Sequence, residues 1–383
     1  MTDVLTRREL LRRAAAGGAV LTVPGLLAAC GGSTTQSAAT TTSHTLAKTL
    51  RFSNWTLYID KKGNTHPTLD QFQKKTGVHV QYTEDINDNA SFFGKIQGPL
   101  SRGQSISRDL IVMTDNSRYP SLLIKKGWLE KLDKSAIPNF KNLLPVQRHP
   151  DWDPQRTYSL PWQSGMTGIA YNDKLTEPIT SMDKLLDDPK LKGKITLLNE
   201  MADTLVLVML ANGDDPSHVT DATFNKAIKR IQGAVDSGQV RQFTGNDYSG
   251  PLAKGDLSAC MAWSGDIVQL QADNSHLHWN LPDTGGDIWT DNMLIPKGGD
   301  VFTASTYMNF VYDPKIAAQI ADYVNYISPV LGAKAVLLKE DPAIAKNELI
   351  FPTTEMLSNV HTIDPAVLSN QKYLETWQNL ISS

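Results

Sequence analysis

Leu110-Ile111-Val112-Met113 is an unbroken apolar run of the length that a strand buried on both faces of a parallel sheet requires. Working outward, Leu50-Arg51-Phe52-Ser53 reads as a first strand, and Val78-His79-Val80-Gln81-Tyr82 alternates apolar and polar as a second strand does. Between them Thr68–Lys75 has a helical pattern that turns Leu69 and Phe72 inward, with Gly77 supplying the left-handed residue beyond its end. This β-α-β-α-β rhythm predicts an α/β domain with a mostly parallel sheet. After Tyr158-Ser159-Leu160-Pro161 the pattern restarts. Strands are expected at Gly168–Tyr171, Ile195–Leu198, Ala259–Trp263 and from Leu294-Ile295-Pro296, and helices at Thr204–Ala211, Asp221–Val235 and Ile316–Ile327. Two α/β lobes joined by extended segments would leave a cleft between them.

The 383 residues, 40% of them hydrophobic, suffice for two domains with cores of their own. The 37 Lys and Arg balance 40 Asp and Glu without any dense basic cluster, which argues against a nucleic-acid partner. Cys30 and Cys260 are the two cysteines, too few for a disulfide framework or a cysteine-based zinc site. Beyond the leader there is no apolar run of 18 residues, so the chain is not an integral channel or permease.

The leader, residues 1–29, is set apart from the fold. Arg7 and Arg8 in Thr6-Arg7-Arg8-Glu9-Leu10-Leu11 read as a twin-arginine export signal, and the weakly apolar run that follows ends in Leu27-Ala28-Ala29-Cys30. That box resembles a bacterial lipobox, in which Cys30 would take the lipid. Cleavage removes four arginines and two acids and leaves 33 basic and 38 acidic side chains, a net charge of −5. Residues 30–47 then form a lipidated cysteine and a tether; Gly31–Ala47 holds nine Ser or Thr and no Lys, Arg, Asp or Glu. The expected location is extracytoplasmic, anchored to the cell membrane.

Catalytic motifs such as G-x-S-x-G, H-E-x-x-H or a Walker-type glycine loop are absent, so no enzyme and no cofactor is expected. His276 and His278 would share a strand face, but read as partly exposed surface residues and not as metal ligands. Asp85-Ile86-Asn87-Asp88-Asn89 imitates the opening of a calcium loop but has Ala90 and Ile96 where glycine and an acid are required. The placement of the aromatics is more informative. Trp55 and Tyr58 follow the first strand, Trp263 ends another, and Trp289 stands two residues before Asp291. Strand ends face the ligand crevice in open α/β sheets. Aromatic faces there attract organic cations, and a carboxylate neutralises an ammonium.

The blocks NWTLYI (54–59), DLIVMTDN (109–116), GWLEKLDKSAIPNFKNL (127–143), YSLPWQSGMTGIAYN (158–172), GDLSACMAWSGD (255–266) and WTDNMLIP (289–296) resemble those of the spermidine/putrescine-binding proteins of bacterial ABC importers. The resemblance spans Leu50 to the C-terminus. It implies a two-lobed periplasmic-binding-protein fold that closes on a linear polyamine, with lobes at 48–160 plus 287–326 and at 161–286 plus 327–383. Trp55, Tyr58 and Tyr326 match cleft aromatics, Trp263 and Trp289 the tryptophans flanking the methylene chain, and Asp291 the acid for an internal amine. Thr114, Asp115 and Asn116 stand where the family has Ser-x-Tyr. A gapless match puts Met201 and Thr204 at the family's terminal acid pair, with Glu200 and Asp203 one residue earlier and able to serve from a shifted frame. The implied protein is a monomer working with an ABC permease and ATPase. A same-fold receptor for another cationic amine, an opine-like compound or a sugar stays open, as does a degenerate cell-wall enzyme or adhesion lipoprotein.

Overall fold

Ten strands form one sheet among residues 44–382, the part of the chain that this computed structural model describes. Arg7, Arg8, Cys30 and most of the tether lie outside the described residues. In chain order the strands are β1 (Thr49–Trp55), β2 (His79–Ile86), β3 (Leu110–Thr114), β4 (Ser159–Asn172), β5 (Ile195–Leu198), β6 (Val240–Thr244), β7 (Ala259–Trp263), β8 (Leu277–Asn280), β9 (Gly286–Leu294) and β10 (Val360–His361). The spatial order is β2-β1-β3-β9-β4-β7-β5-β6, with β10 on β9 and β8 on β4.

The sheet has two parallel wings, β2-β1-β3 and β7-β5-β6, joined through antiparallel pairings of β9 and β4. It is therefore mixed, and the expected mostly parallel sheet describes only the wings. Tyr158–Pro161 and Gly168–Tyr171, expected to be separate, fall largely in one fourteen-residue strand, β4, every residue of which is buried. Pro161 lacks an N–H and coincides with the register shift against β9, so the ladder bends there without ending. The strand expected to begin at Leu294 instead ends there.

The helices that position the site are α1 (Pro67–Thr76), α2 (Asn89–Ser101), α3 (Tyr119–Lys125), α4 (Met201–Ala211), α5 (Asp221–Asp236), α6 (Ser264–Gln271), α7 (Val301–Val311), α8 (Pro314–Val324) and α9 (Gln371–Ile381). Leu69 and Phe72 of α1 are buried as their spacing requires, and Gly77 ends the helix at φ +77°. Helix α8 stops short of Ile327, because Asn325 turns left-handed at φ +57°. Ile327 pairs in extended form with Ser164. Tyr373 of α9 stacks on Phe224 of α5 at 3.9 Å, and the Trp377 indole donates to the Asn199 carbonyl, fixing the C-terminal helix beside the second wing. Helix 333–340 packs on α8. Cys260 is fully buried, and burial pushes its thiol well above the ordinary range. No described helix is long and apolar enough to cross a membrane.

Candidate functional site

The carboxyl ends of the parallel strands in both wings point into one cavity. Trp55 and Thr56 come from the end of β1, Thr114 and Asn116 from β3, and Glu200 and Asp203 from β5 and the start of α4. Asn246 follows β6, while Trp263 and Asp266 follow β7 into α6. Antiparallel β9 adds Trp289 and Asp291 from between the wings. The left-handed turn at Asn325 delivers Tyr326. Tyr58 and Asn89 complete the lining. It includes four carboxyl side chains, five aromatics and no Lys, Arg or His.

The aromatics form a chain. Trp55 meets Trp263 edge-on at 6.0 Å, Trp263 meets Trp289 at 6.2 Å, Trp289 meets Tyr326 at 5.7 Å, and Tyr326 meets Tyr58 at 5.0 Å. Two glycines make room for it. A Cβ on Gly165 of β4 would stand 2.5 Å from the Trp289 ring, and one on Gly265 would collide with the Tyr326 ring.

The carboxyls stand at separate stations. Asp291, 3% exposed, accepts from the Tyr58 and Thr114 hydroxyls at 2.7 Å each. Burial pushes it up to about 7 despite those two donors. Glu200, just before α4, accepts from the backbone N–H and the side-chain amide of Asn89, both at 2.8 Å, which ties one wing to the other. Asp88 caps α2 through the Ser91 N–H at 2.7 Å and so fixes Asn89. Burial, with Asp203 and Asp88 nearby, holds Glu200 up at about 8.

Asp203 accepts from the Thr167 hydroxyl, the Trp263 indole at 2.9 Å and the Asn116 amide at 3.1 Å. Asp266 accepts from Tyr326 at 2.6 Å, Tyr248 at 2.8 Å and Asn246 at 2.9 Å. Burial raises both. Asp287, fully buried behind Asn116 and accepting from it at 2.8 Å, is likewise raised by burial and by Asp203. A cavity with this many desolvated carboxyls and no base is an acceptor for cations.

Ten of the eleven ligand-site residues expected from sequence line this cavity. Asp115 does not. It accepts from the Thr290 N–H at 2.9 Å and its own N–H donates to the Thr290 carbonyl, so it ties β3 to β9, with burial pushing it up to about 6. Glu200 and Asp203 face the cavity from the shifted frame, while Thr204 turns away to donate to the Leu198 carbonyl. Thr56, Asn89, Asn246 and Asp266 also line the cavity and are not among the residues that the sequence singles out. Asp266 stands three residues after Trp263 at the start of a helix, a spacing that could have revealed it; Asn89 lay inside the imitation calcium loop.

His276 and His278 each pair with Asp173 at 2.8 Å and are partly exposed. The described residues hold no group of three or more His, Cys, Asp or Glu placed for a metal ion.

The spermidine/putrescine-binding periplasmic protein of Escherichia coli K12 is 27% identical over 340 residues, covering 87% of this chain and 91% of that protein. The putrescine-binding periplasmic protein PotF of the same organism is 27% identical over 348 residues, covering 84% and 88%. A candidate spermidine/putrescine ABC transporter from Listeria monocytogenes superposes with a TM-score of 0.74 at 26% identity, covering 88% of this chain and 98% of that one. The fold is thus the two-lobed one of periplasmic binding proteins, with the cavity between lobes. The bacterial extracellular solute-binding protein family matches residues 68–352, and with the wings, their crossing strands and the cleft already in place, the chain belongs to that family.

Proposed function

We propose that this chain is the substrate-binding component of an ABC importer and takes a linear polyamine of the spermidine/putrescine class into the interlobe cleft for delivery to a permease. The observation that carries this reading is the set of four cavity carboxyls with no basic side chain among them. An isolated carboxylate in a desolvated site is costly, and an ammonium is the counter-ion that offsets it. The aromatic chain Trp55-Trp263-Trp289-Tyr326-Tyr58 suits the methylenes between ammonium groups. Each cation–π contact contributes about 0.5–2 kcal/mol depending on desolvation. Several of these with two charge pairs reach about 8 kcal/mol, micromolar affinity, after association losses. The names of the Escherichia coli relatives agree with a polyamine ligand.

Asp291, Glu200, Asp203 and Asp266 are assigned to ammonium groups, and Thr114 and Asn116 to orienting the acids. We divide the lobes where β4 and β9 cross: 48–160 with 287–326 form the first, joined by helix 333–340, which packs on α8, and 161–286 with the rest of 327–383 form the second. Arg7 and Arg8 direct export, Cys30 carries the lipid, and the mature monomer is held at the outer face of the cell membrane.

Thermal-shift and calorimetric titration with putrescine, cadaverine, spermidine and spermine test the reading. At a hundredfold excess over Kd a ligand stabilises the protein by about 2.7 kcal/mol. A flat response to all four amines beside a shift with a sugar would sink it.

A further inference from the structure

Resting on the polyamine reading, we infer that the favoured ligand carries a hydrogen-bond acceptor besides its ammonium groups, as a mono-N-acylated polyamine does. A bare polyammonium ion offers only donors, which suits the carboxyls and the unpartnered Asn246 amide oxygen on the cavity wall. The Trp55 indole is a different case. Trp55 lines the cavity at 6% exposure, and its Nε1–H, a donor only, has no acceptor among the described residues. The other two cavity tryptophans are satisfied. Trp263 donates to Asp203 at 2.9 Å and Trp289 to Thr167 at 3.0 Å. The orphan is thus particular to Trp55.

Buried donors in native proteins have partners as a rule, and one left unpaired is costly. Closing the cleft over a plain polyamine brings this N–H no acceptor. An amide carbonyl accepts two hydrogen bonds, and Thr56, from the same turn and also on the cavity lining, supplies a hydroxyl with no side-chain partner among the described residues. Acylation of one nitrogen of a triamine leaves two ammonium groups for the carboxyl stations, so cation recognition is retained.

The test is calorimetry on the whole protein at pH 7.5 with spermidine and with N1- and N8-acetylspermidine. The wild type is expected to bind one acetylated isomer more tightly than spermidine. Trp55→Phe, which keeps an aromatic face and removes the N–H, should lower the acetyl-to-parent affinity ratio at least fivefold. The ratio is insensitive to a general loss of packing because both ligands suffer it. A wild-type preference for the bare triamine, or a ratio that Trp55→Phe leaves within twofold, overturns the inference while the polyamine reading stands. If none of the three amines binds, the polyamine reading fails with it. The wild-type preference needs no variant, so it decides the matter even if Trp55→Phe does not fold.

Discussion

Asp291→Asn should move binding and stability in opposite directions. In the unfolded chain this carboxyl titrates near 3.8, and in the folded cleft burial raises it to about 7. Between those values the native protein keeps a proton that the unfolded chain has released. Stability therefore falls as pH rises through the window, and the whole penalty is present above it. A shift of that size corresponds to about 4 kcal/mol. The asparagine has nothing to ionise. At pH 8 the empty variant should resist unfolding better than the empty wild type, by at most about 4 kcal/mol, with the gain vanishing towards pH 4. One of the Tyr58 and Thr114 hydroxyls must reverse to accept from the new amide, a smaller loss that lowers this ceiling. Binding goes the other way: removing one partner of a buried charge pair weakens it by roughly 2–5 kcal/mol. Spermidine titration calorimetry at pH 7.5, paired with urea unfolding of the empty protein at pH 4.5 and pH 8, reads both effects. If the empty variant is less stable at pH 8 while its spermidine affinity stays within twofold, Asp291 is a purely structural residue of β9 and the reasoning is wrong.

Acidification alone should weaken polyamine binding. With Asp291 near 7 and binding confined to its ionised form, affinity falls roughly 30-fold from pH 8 to pH 5.5, and further if Glu200, near 8, participates; a flat calorimetric pH profile over that range excludes both acids from ammonium pairing. Gly165→Ala places a Cβ 2.5 Å from the Trp289 ring, so spermidine affinity and melting temperature should both drop, the stability loss being about 1–3 kcal/mol; an unchanged pair of values would mean that the ring is free to move. Lysine at Arg7 and Arg8 should trap precursor in the cytoplasm, and Cys30→Ala should abolish acyl labelling; a Cys30→Ala protein that still partitions into detergent after leader removal refutes lipid anchoring.

The wings were legible because their strands are short, apolar and bounded by turn residues; Ile195–Leu198 and Ala259–Trp263 end where the sequence places them. The sequence pattern splits the crossing strand β4 into two pieces, because Pro161, Gly165 and Gly168 look like punctuation. Two of those glycines exist for contacts invisible in one dimension: a Cβ on Gly165 would meet Trp289, and one on Gly168 would meet Trp279 at 2.5 Å. Asn89 and Asn246 carry no periodicity, and only the closing of the two wings onto one cavity gives them a role. Asp115 shows the converse, since its position in a matching block says nothing of which way the side chain turns.

The acids that make the cleft a receptor also make it uncomfortable when empty. Glu200 and Asp203 belong to one wing, while Asn89 and Asn116, their donors, come from the other, so these hydrogen bonds exist only with the lobes together. Closure therefore desolvates the carboxyls and supplies neutral donors in exchange, and burial still leaves every one of the four raised. At neutral pH the empty closed form must either take up protons or reopen to rehydrate its acids. An ammonium group removes the choice by keeping the acids ionised, so the same carboxyls bind the cation and make the closed state depend on it. A ligand with a single positive charge would leave most of that penalty standing and fail to hold the lobes together, however well it filled the aromatic slot.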